Sequence, residues 1–123
     1  MPTFAEPDRN VTLAAQLREQ AGPVILINPF TVAPEEADQL VRAWAADAAY
    51  FKRQPGFISA QLHRGIAGSC AFLNYAVWES VGHFRAAFEN PEFREHLAAY
   101  PPSAVASPHL FRRVHVPNIC LGD

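Results

Sequence analysis

Phe57-Ile-Ser-Ala-Gln-Leu-His-Arg64, Gly65-Ile-Ala-Gly-Ser69 and Cys70-Ala-Phe-Leu-Asn-Tyr-Ala-Val-Trp78 are the stretch on which the fold turns. Two runs rich in β-branched and aromatic residues flank a five-residue joint with two glycines, the pattern of a β-hairpin. Upstream, Gln54-Pro55-Gly56 stops a helix that begins at about Pro34, with proline in its first turn and Glu35 and Glu36 at the positive end of its dipole. Ala37, Leu40, Val41, Trp44, Ala48 and Phe51 fall on one stripe of a 3.6-residue period. Further upstream, Val24-Ile-Leu-Ile-Asn-Pro-Phe-Thr-Val32 reads as a strand, and Pro29 within it argues for an edge position or a bulge.

Downstream of the hairpin, Ser80 is an N-cap for a helix with Phe84, Ala87 and Phe88 on one face. Asn90-Pro91-Glu92 restarts it, and Phe93, Leu97 and Tyr100 carry the apolar face on until Pro101-Pro102. Leu110-Phe-Arg-Arg-Val-His-Val116 reads as a closing strand. The order β-α-β-β-α-β predicts an α+β, ferredoxin-like split βαβ sandwich, with an antiparallel four-stranded sheet and both helices on one face. The other sheet face then needs a cover, and a homodimer of the dimeric α/β-barrel type is the expected solution. Residues 1–22 read as an N-terminal extension with a short helix before Gly22, and 23–123 as the domain proper.

The 123 residues amount to one domain. A formal charge of −2 and a pI near 6.2 offer nothing to a polyanion, so nucleic acid is set aside as a partner. Met1–Asn10 holds Glu6, Asp8 and Arg9, against a secretory apolar core, and no apolar run approaches a membrane span. A cytoplasmic protein with free thiols at Cys70 and Cys120 is expected.

The chain has no Gly-x-Gly-x-x-Gly and no phosphate-binding loop. Its five histidines, His63, His83, His96, His109 and His115, have no metal-ligand spacing, so neither metal nor cofactor is expected. One constellation stands out. Asn74 and Trp78, four apart on a strand, share a face with Phe72 and Ala76, and an inward amide in an apolar strand must find partners. It either orients a phenol or quinone oxygen or bonds a neighbouring backbone group. His63 and Gln61 join that face if the hairpin pairs residue 63 with 72, and a slip of one residue turns them away. Arg94 lies between Glu92 and Glu95, where spacing alone reads it as a solvated helix arginine.

The runs Ile27-Asn-Pro-Phe-Thr-Val32, Gln54-Pro-Gly-Phe-Ile-Ser-Ala-Gln-Leu-His-Arg64, Phe72-Leu-Asn-Tyr-Ala-Val-Trp-Glu-Ser80 and Pro91-Glu-Phe-Arg94 resemble the antibiotic biosynthesis monooxygenase family over residues 23–116. The resemblance implies a cofactor-free monooxygenase that oxidises a small aromatic, a phenol, anthrone or hydroquinone, to a quinone with O2. It places the family's pocket asparagine and tryptophan on Asn74 and Trp78, its histidine on His63 and its arginine on Arg94, with Phe72, Phe84 and Gln61 about the substrate. Phe84 stands where these relatives have a tyrosine, which removes a hydroxyl from the expected proton route. Haem-degrading members of the family carry an Asn–Trp–His set. Asn28 and Trp78 match its first two positions, but Phe88 takes the histidine's place. The other readings are a non-catalytic dimer that binds an aromatic metabolite, and a purely structural dimer.

Overall fold

The computed structural model describes residues 1–121. Its strands are β1 (Thr3–Phe4), β2 (Val24–Thr31), β3 (Phe57–Arg64), β4 (Ala71–Trp78), β5 (Val105–Ala106) and β6 (His109–Phe111). Its helices are α1 (Leu13–Gln16), α2 (Ala37–Lys52), α3 (Val81–Phe88) and α4 (Pro91–Ala98), and a 3-10 turn, Pro34–Glu36, leads into α2. The sheet runs β1-β5-β2-β4-β3, with β6 also on β2, and it does not close into a barrel. This is the ferredoxin-like α+β frame expected from the hairpin outward. It is mixed rather than purely antiparallel, because β1 joins β5 in parallel.

The closing strand differs from the expected Leu110–Val116. β5 and β6 are two pieces of one line that runs antiparallel to β2 and breaks at Ser107-Pro108. Residues 112–121 lie outside the sheet and are exposed. The break also explains Pro29, which sits not on an edge but in the central strand. A proline cannot donate to a ladder, and Pro29 lies where that neighbouring line is interrupted. Its carbonyl and the Asn28 side-chain oxygen both accept from Ser107 N–H, each at 3.0 Å.

The helices pack on the sheet face that carries Val24, Leu26, Phe30, Phe72, Ala76 and Trp78, and they bury two clusters. One gathers Val24, Leu26, Ala76, Trp78 and Phe84. The other gathers Phe30, Leu40, Phe72, Tyr100 and Ala104. Side chains as completely buried as Leu40, Trp78 and Phe84 each contribute ~2–3 kcal/mol of apolar transfer. Leu13 and Leu17, in and just after α1, join the first cluster, and Gln16 clamps β6 by accepting from Leu110 N–H and donating to Leu110 C=O. Ile25, Ile27, Leu73, Tyr75 and Val77 alternate onto the opposite face, where they stay half-exposed.

Candidate active site

Asn28 of β2 and Asn74 of β4 are direct cross-strand partners on the helix-covered face. On β2 the first core cluster ends at Leu26 and the second begins at Phe30. On β4 Ala76 and Phe72 mark the same division. The two asparagines belong to neither cluster, and a pocket opens over them. The sheet supplies its floor with Leu26, Ala76 and Trp78, and α2 supplies a wall with Trp44, Asp47 and Phe51. Phe84, Phe88 and Phe93 come from α3 and α4, while Pro2 and Phe4 come from the N-terminal segment. The enclosed space is about 50 Å3, within about 650 Å3 of unfilled volume when the open mouth is counted.

Trp78 is the aromatic hub of this pocket. Phe51, Phe57 and Phe84 meet it edge-on with centroids at 5.7, 5.5 and 5.6 Å, the arrangement the ring quadrupole favours. Polar atoms in these walls are few, and two stand out. Asn74 Oδ1 and Asp47 Oδ1 are buried with no hydrogen-bond partner among the described residues. The other carboxylate oxygen of Asp47 accepts from the Tyr100 hydroxyl at 2.9 Å. Burial pushes the Asp47 carboxyl up to about 7, against a smaller opposing pull from the Tyr100 hydrogen bond. Burial likewise raises Tyr100, which keeps its phenol a donor. Each orphaned acceptor costs on the order of 1–3 kcal/mol if nothing answers it.

Asn74, Trp78 and Phe84 therefore meet in one pocket. Phe72 shares their strand face but packs in the second core cluster outside the pocket wall, with the Arg64 guanidinium 5.0 Å above its ring. Gln61 and His63 face away. Phe57 pairs with Trp78, and continued from there the register would set His63 opposite Phe72. A bulge between Phe57 and Ser59 adds one residue, so His63 pairs with Leu73 and Gln61 with Tyr75. His63 is exposed, its Nδ1 3.3 Å from the Leu73 carbonyl oxygen. Arg94 lies on the exposed side of α4, while its neighbour Phe93 lines the pocket. Phe88 also lines it, and a phenyl ring offers no ligand to a haem iron, which removes the support for the haem-degrading alternative.

Asp47, Tyr100 and Phe4 were not legible as site residues from motif alone. For Asp47 a signal was available: it lies three residues after Trp44 and seven after Leu40, in the middle of the α2 apolar stripe. A carboxylate in that position must be buried against the sheet.

Residues 23–99 match the family model described as antibiotic biosynthesis monooxygenase. The chain is 34% identical over 93 residues to the deoxynogalonate monooxygenase of Streptomyces nogalater, covering 74% of this chain and 76% of that protein. It is 36% identical over 76 residues to the tetracenomycin-F1 monooxygenase of Streptomyces glaucescens, covering 58% of this chain and 64% of that protein. The crystal structure of SnoaB, a cofactor-independent oxygenase from Streptomyces nogalater, superposes with a TM-score of 0.68 at 32% identity, over 80% of this chain and 99% of that one.

Proposed function

This chain belongs to the antibiotic biosynthesis monooxygenase family, and from that premise we propose that it is a cofactor-independent monooxygenase which oxidises a small polycyclic phenol or anthrone to a quinone with O2. The observation that carries this reading is the chemistry of the pocket wall. Aromatic rings surround two unanswered acceptors, Asn74 Oδ1 and Asp47 Oδ1, a setting for a flat molecule that bears hydroxyl groups.

Such a substrate is its own electron donor. Loss of a proton yields an electron-rich anion that transfers an electron to O2, and the radical pair combines to a peroxide. Loss of water from the peroxide turns a ring CH2 into C=O, so that one CH2 and one O2 become one carbonyl and one water. The chain then has to orient the ring, exclude water and manage protons, with no redox centre of its own. Asn74 orients the substrate's oxygen through its amide, Trp78 and Phe84 hold the ring plane, and Phe51 and Phe88 keep the pocket dry. His63, Gln61, Phe72 and Arg94 lie outside the pocket wall and have no part in this reading. No helix among the described residues is long and apolar enough to cross a membrane, and a cytoplasmic homodimer joined through the half-exposed sheet face completes the proposal.

The test is O2 uptake by protein dialysed against chelator, with a panel of phenols, hydroquinones and a dihydroxyanthrone. One O2 should be consumed per quinone formed, and isotopically heavy O2 should label the new carbonyl. Uptake that depends on added flavin or iron would defeat the reading. Ligand-induced thermal stabilisation without any uptake would replace it with a non-catalytic binding role.

A further inference from the structure

We propose that Asp47 is the proton acceptor of the pocket: its Oδ1 takes the substrate's acidic proton while Tyr100 holds Oδ2 in place. The proposal rests on the monooxygenase reading and names the base that such a reaction needs.

The geometry carries it. Asp47 is more than nine-tenths buried, in the middle of the α2 stripe that also bears Leu40, Ala43, Trp44 and Phe51. Its side chain reaches the same pocket as Asn74 and Trp78. A carboxylate that a fold merely tolerates is usually paired with a cation or fully hydrogen-bonded. Here no ion pair reaches it among the described residues; the ion pairs of this region, Arg53 and His96 with Glu92, lie at the exposed end of α2 and α4. One oxygen has Tyr100, and the other has no hydrogen-bond partner among the described residues. If the only task were to accept the Tyr100 hydroxyl, a neutral amide oxygen would serve without the cost of a buried charge.

The surroundings fit a base that works near neutrality. Of the titratable groups about it, Tyr100 faces Asp47 directly. Tyr50, one helical turn on, spends its hydroxyl on the Ala87 carbonyl at 2.7 Å, with the His96 ring 5.4 Å beyond it. Burial sets the carboxyl near the middle of the physiological range, where a general base is both ionised and basic enough to act.

The proton ledger closes on this one group. The Asp47 carboxylate takes a proton from the ring methylene, or from the enol hydroxyl of its tautomer, and leaves one delocalised anion with charge on the ring carbon and the oxygen. The anion and O2 form a C–O–O⁻ bond, and the protonated Asp47 returns its proton to the outer oxygen. Asp47 then removes the second C–H proton; that electron pair makes C=O as the O–O bond breaks. The departing hydroxide takes the proton back as water, and the carboxylate is restored.

The test uses the full chain, the variants Asp47→Asn and Tyr100→Phe, and a dihydroxyanthrone as probe. In wild type, kcat/KM should rise with pH to a plateau above about 7. Asp47→Asn should still bind the probe, lose that rise, and fall by at least ~100-fold on the plateau. Tyr100→Phe removes the hydrogen bond that favours the carboxylate, so its rise should move to higher pH. A structural role would instead lower the melting temperature of both variants and leave the pH profile of the folded enzyme alone. An anaerobic titration separates this proposal from the one beneath it, since no turnover is needed: wild type should convert the bound probe to its coloured anion and Asp47→Asn should not. Asp47→Asn with the wild-type rate and profile, or wild type that binds the probe only as the neutral form, overturns the base. Anion formation without O2 uptake upholds the base and overturns the oxygenase. Failure of wild type to bind the probe overturns both.

Discussion

Asn28 and Asn74 face each other across β2 and β4, and the hydrophobic core is divided in two at that pair. Their roles differ. Asn28 is committed to the fold, because its Oδ1 accepts from Ser107 N–H at the break between β5 and β6. Asn74 Oδ1 accepts from nothing among the described residues. A buried amide oxygen left unanswered is a cost the fold carries for another reason.

The two asparagines should therefore respond oppositely to truncation. Asn74→Ala removes an orphan, so its melting temperature should stay within a few degrees of wild type. Turnover should fall on the order of tenfold, the effect of losing the one hydrogen bond that orients the substrate's hydroxyl against Asn74 Oδ1. Asn28→Ala strips one acceptor from Ser107 and should destabilise the protein by ~1 kcal/mol. Thermal melts beside O2 uptake separate the two, and an Asn74→Ala protein that melts early yet keeps full specific activity would make Asn74 a structural amide.

Asp47 should leave a mark on stability as well as on rate. In the folded chain its carboxyl sits at about 7 instead of the ordinary 3.8. The folded state thus holds this proton more tightly than the unfolded state does. The stabilisation is complete below about 3.8 and is lost as pH rises through about 7. Each tenfold in proton affinity is worth ~1.4 kcal/mol, which bounds the whole effect at ~4 kcal/mol. Asp47→Asn carries no charge to bury, so its melting temperature should stay level across the window in which wild type declines. Parallel profiles for the two proteins would show that Asp47 does not titrate there.

Most of the frame was legible because each element announces itself locally. The α2 stripe, the Ser80 and Asn90 caps, and the stop at Gly56 are all properties of neighbours in sequence. Gly56 is a case in point. It adopts φ +84°, and a Cβ there would lie 2.2 Å from His83 Cγ, so the Pro-Gly-Phe turn admits glycine alone. Asn74 and Trp78 were legible for the same reason, since strand parity places them together. Gln61 and His63 were not, because a bulge two residues into β3 exchanges the faces of everything after it, and no side chain nearby advertises the bulge. The closing strand departs from the pattern of its own sequence because its two pieces are short and owe their position to β2. Tyr100 falls at an apolar position of the helix pattern, and its link to Asp47, 53 residues away, has no local sign.

The half-exposed sheet face supports a prediction about assembly. Leu73, Tyr75 and Val77 with Ile25 and Ile27 make an apolar strip, and Arg112 and Arg113 flank the groove beside Ile25, Tyr75 and Val77. If two copies meet there, sedimentation at micromolar concentration should give twice the 13.6 kDa chain mass, and the interface should bury more than ~1,000 Å2. Val77→Glu puts a charge in the middle of the strip and should yield a folded monomer, because the side chain is not in the core. A wild-type monomer, or a Val77→Glu protein that sediments as wild type does, would rule out this face.

The N-terminal segment makes the last prediction, which concerns substrate capture. β1 lies outside the stretch that matches the family model, yet Pro2 and Phe4 contribute to the pocket wall. The segment is anchored by backbone hydrogen bonds: Thr3 N–H donates to Ala104 C=O at 2.9 Å and Ala5 N–H to Ala106 C=O at 2.8 Å. The terminal amine adds a contact to the Tyr100 carbonyl at 3.3 Å. These bonds do not involve the Phe4 side chain, so Phe4→Ala leaves the strand in place. Phe4 is 46% exposed, so its loss should cost less than ~1 kcal/mol of stability. A bound aromatic substrate would cover the rest of that ring, and the contact should contribute about as much to its binding as to that of the transition state. Phe4→Ala should therefore raise KM several-fold with kcat nearly unchanged, the signature of uniform binding. It should also relax the size limit, so that bulkier ring systems gain relative to small phenols. If KM and the size preference both stay at wild-type values, Phe4 takes no part in holding the substrate and β1 serves only to finish the sheet.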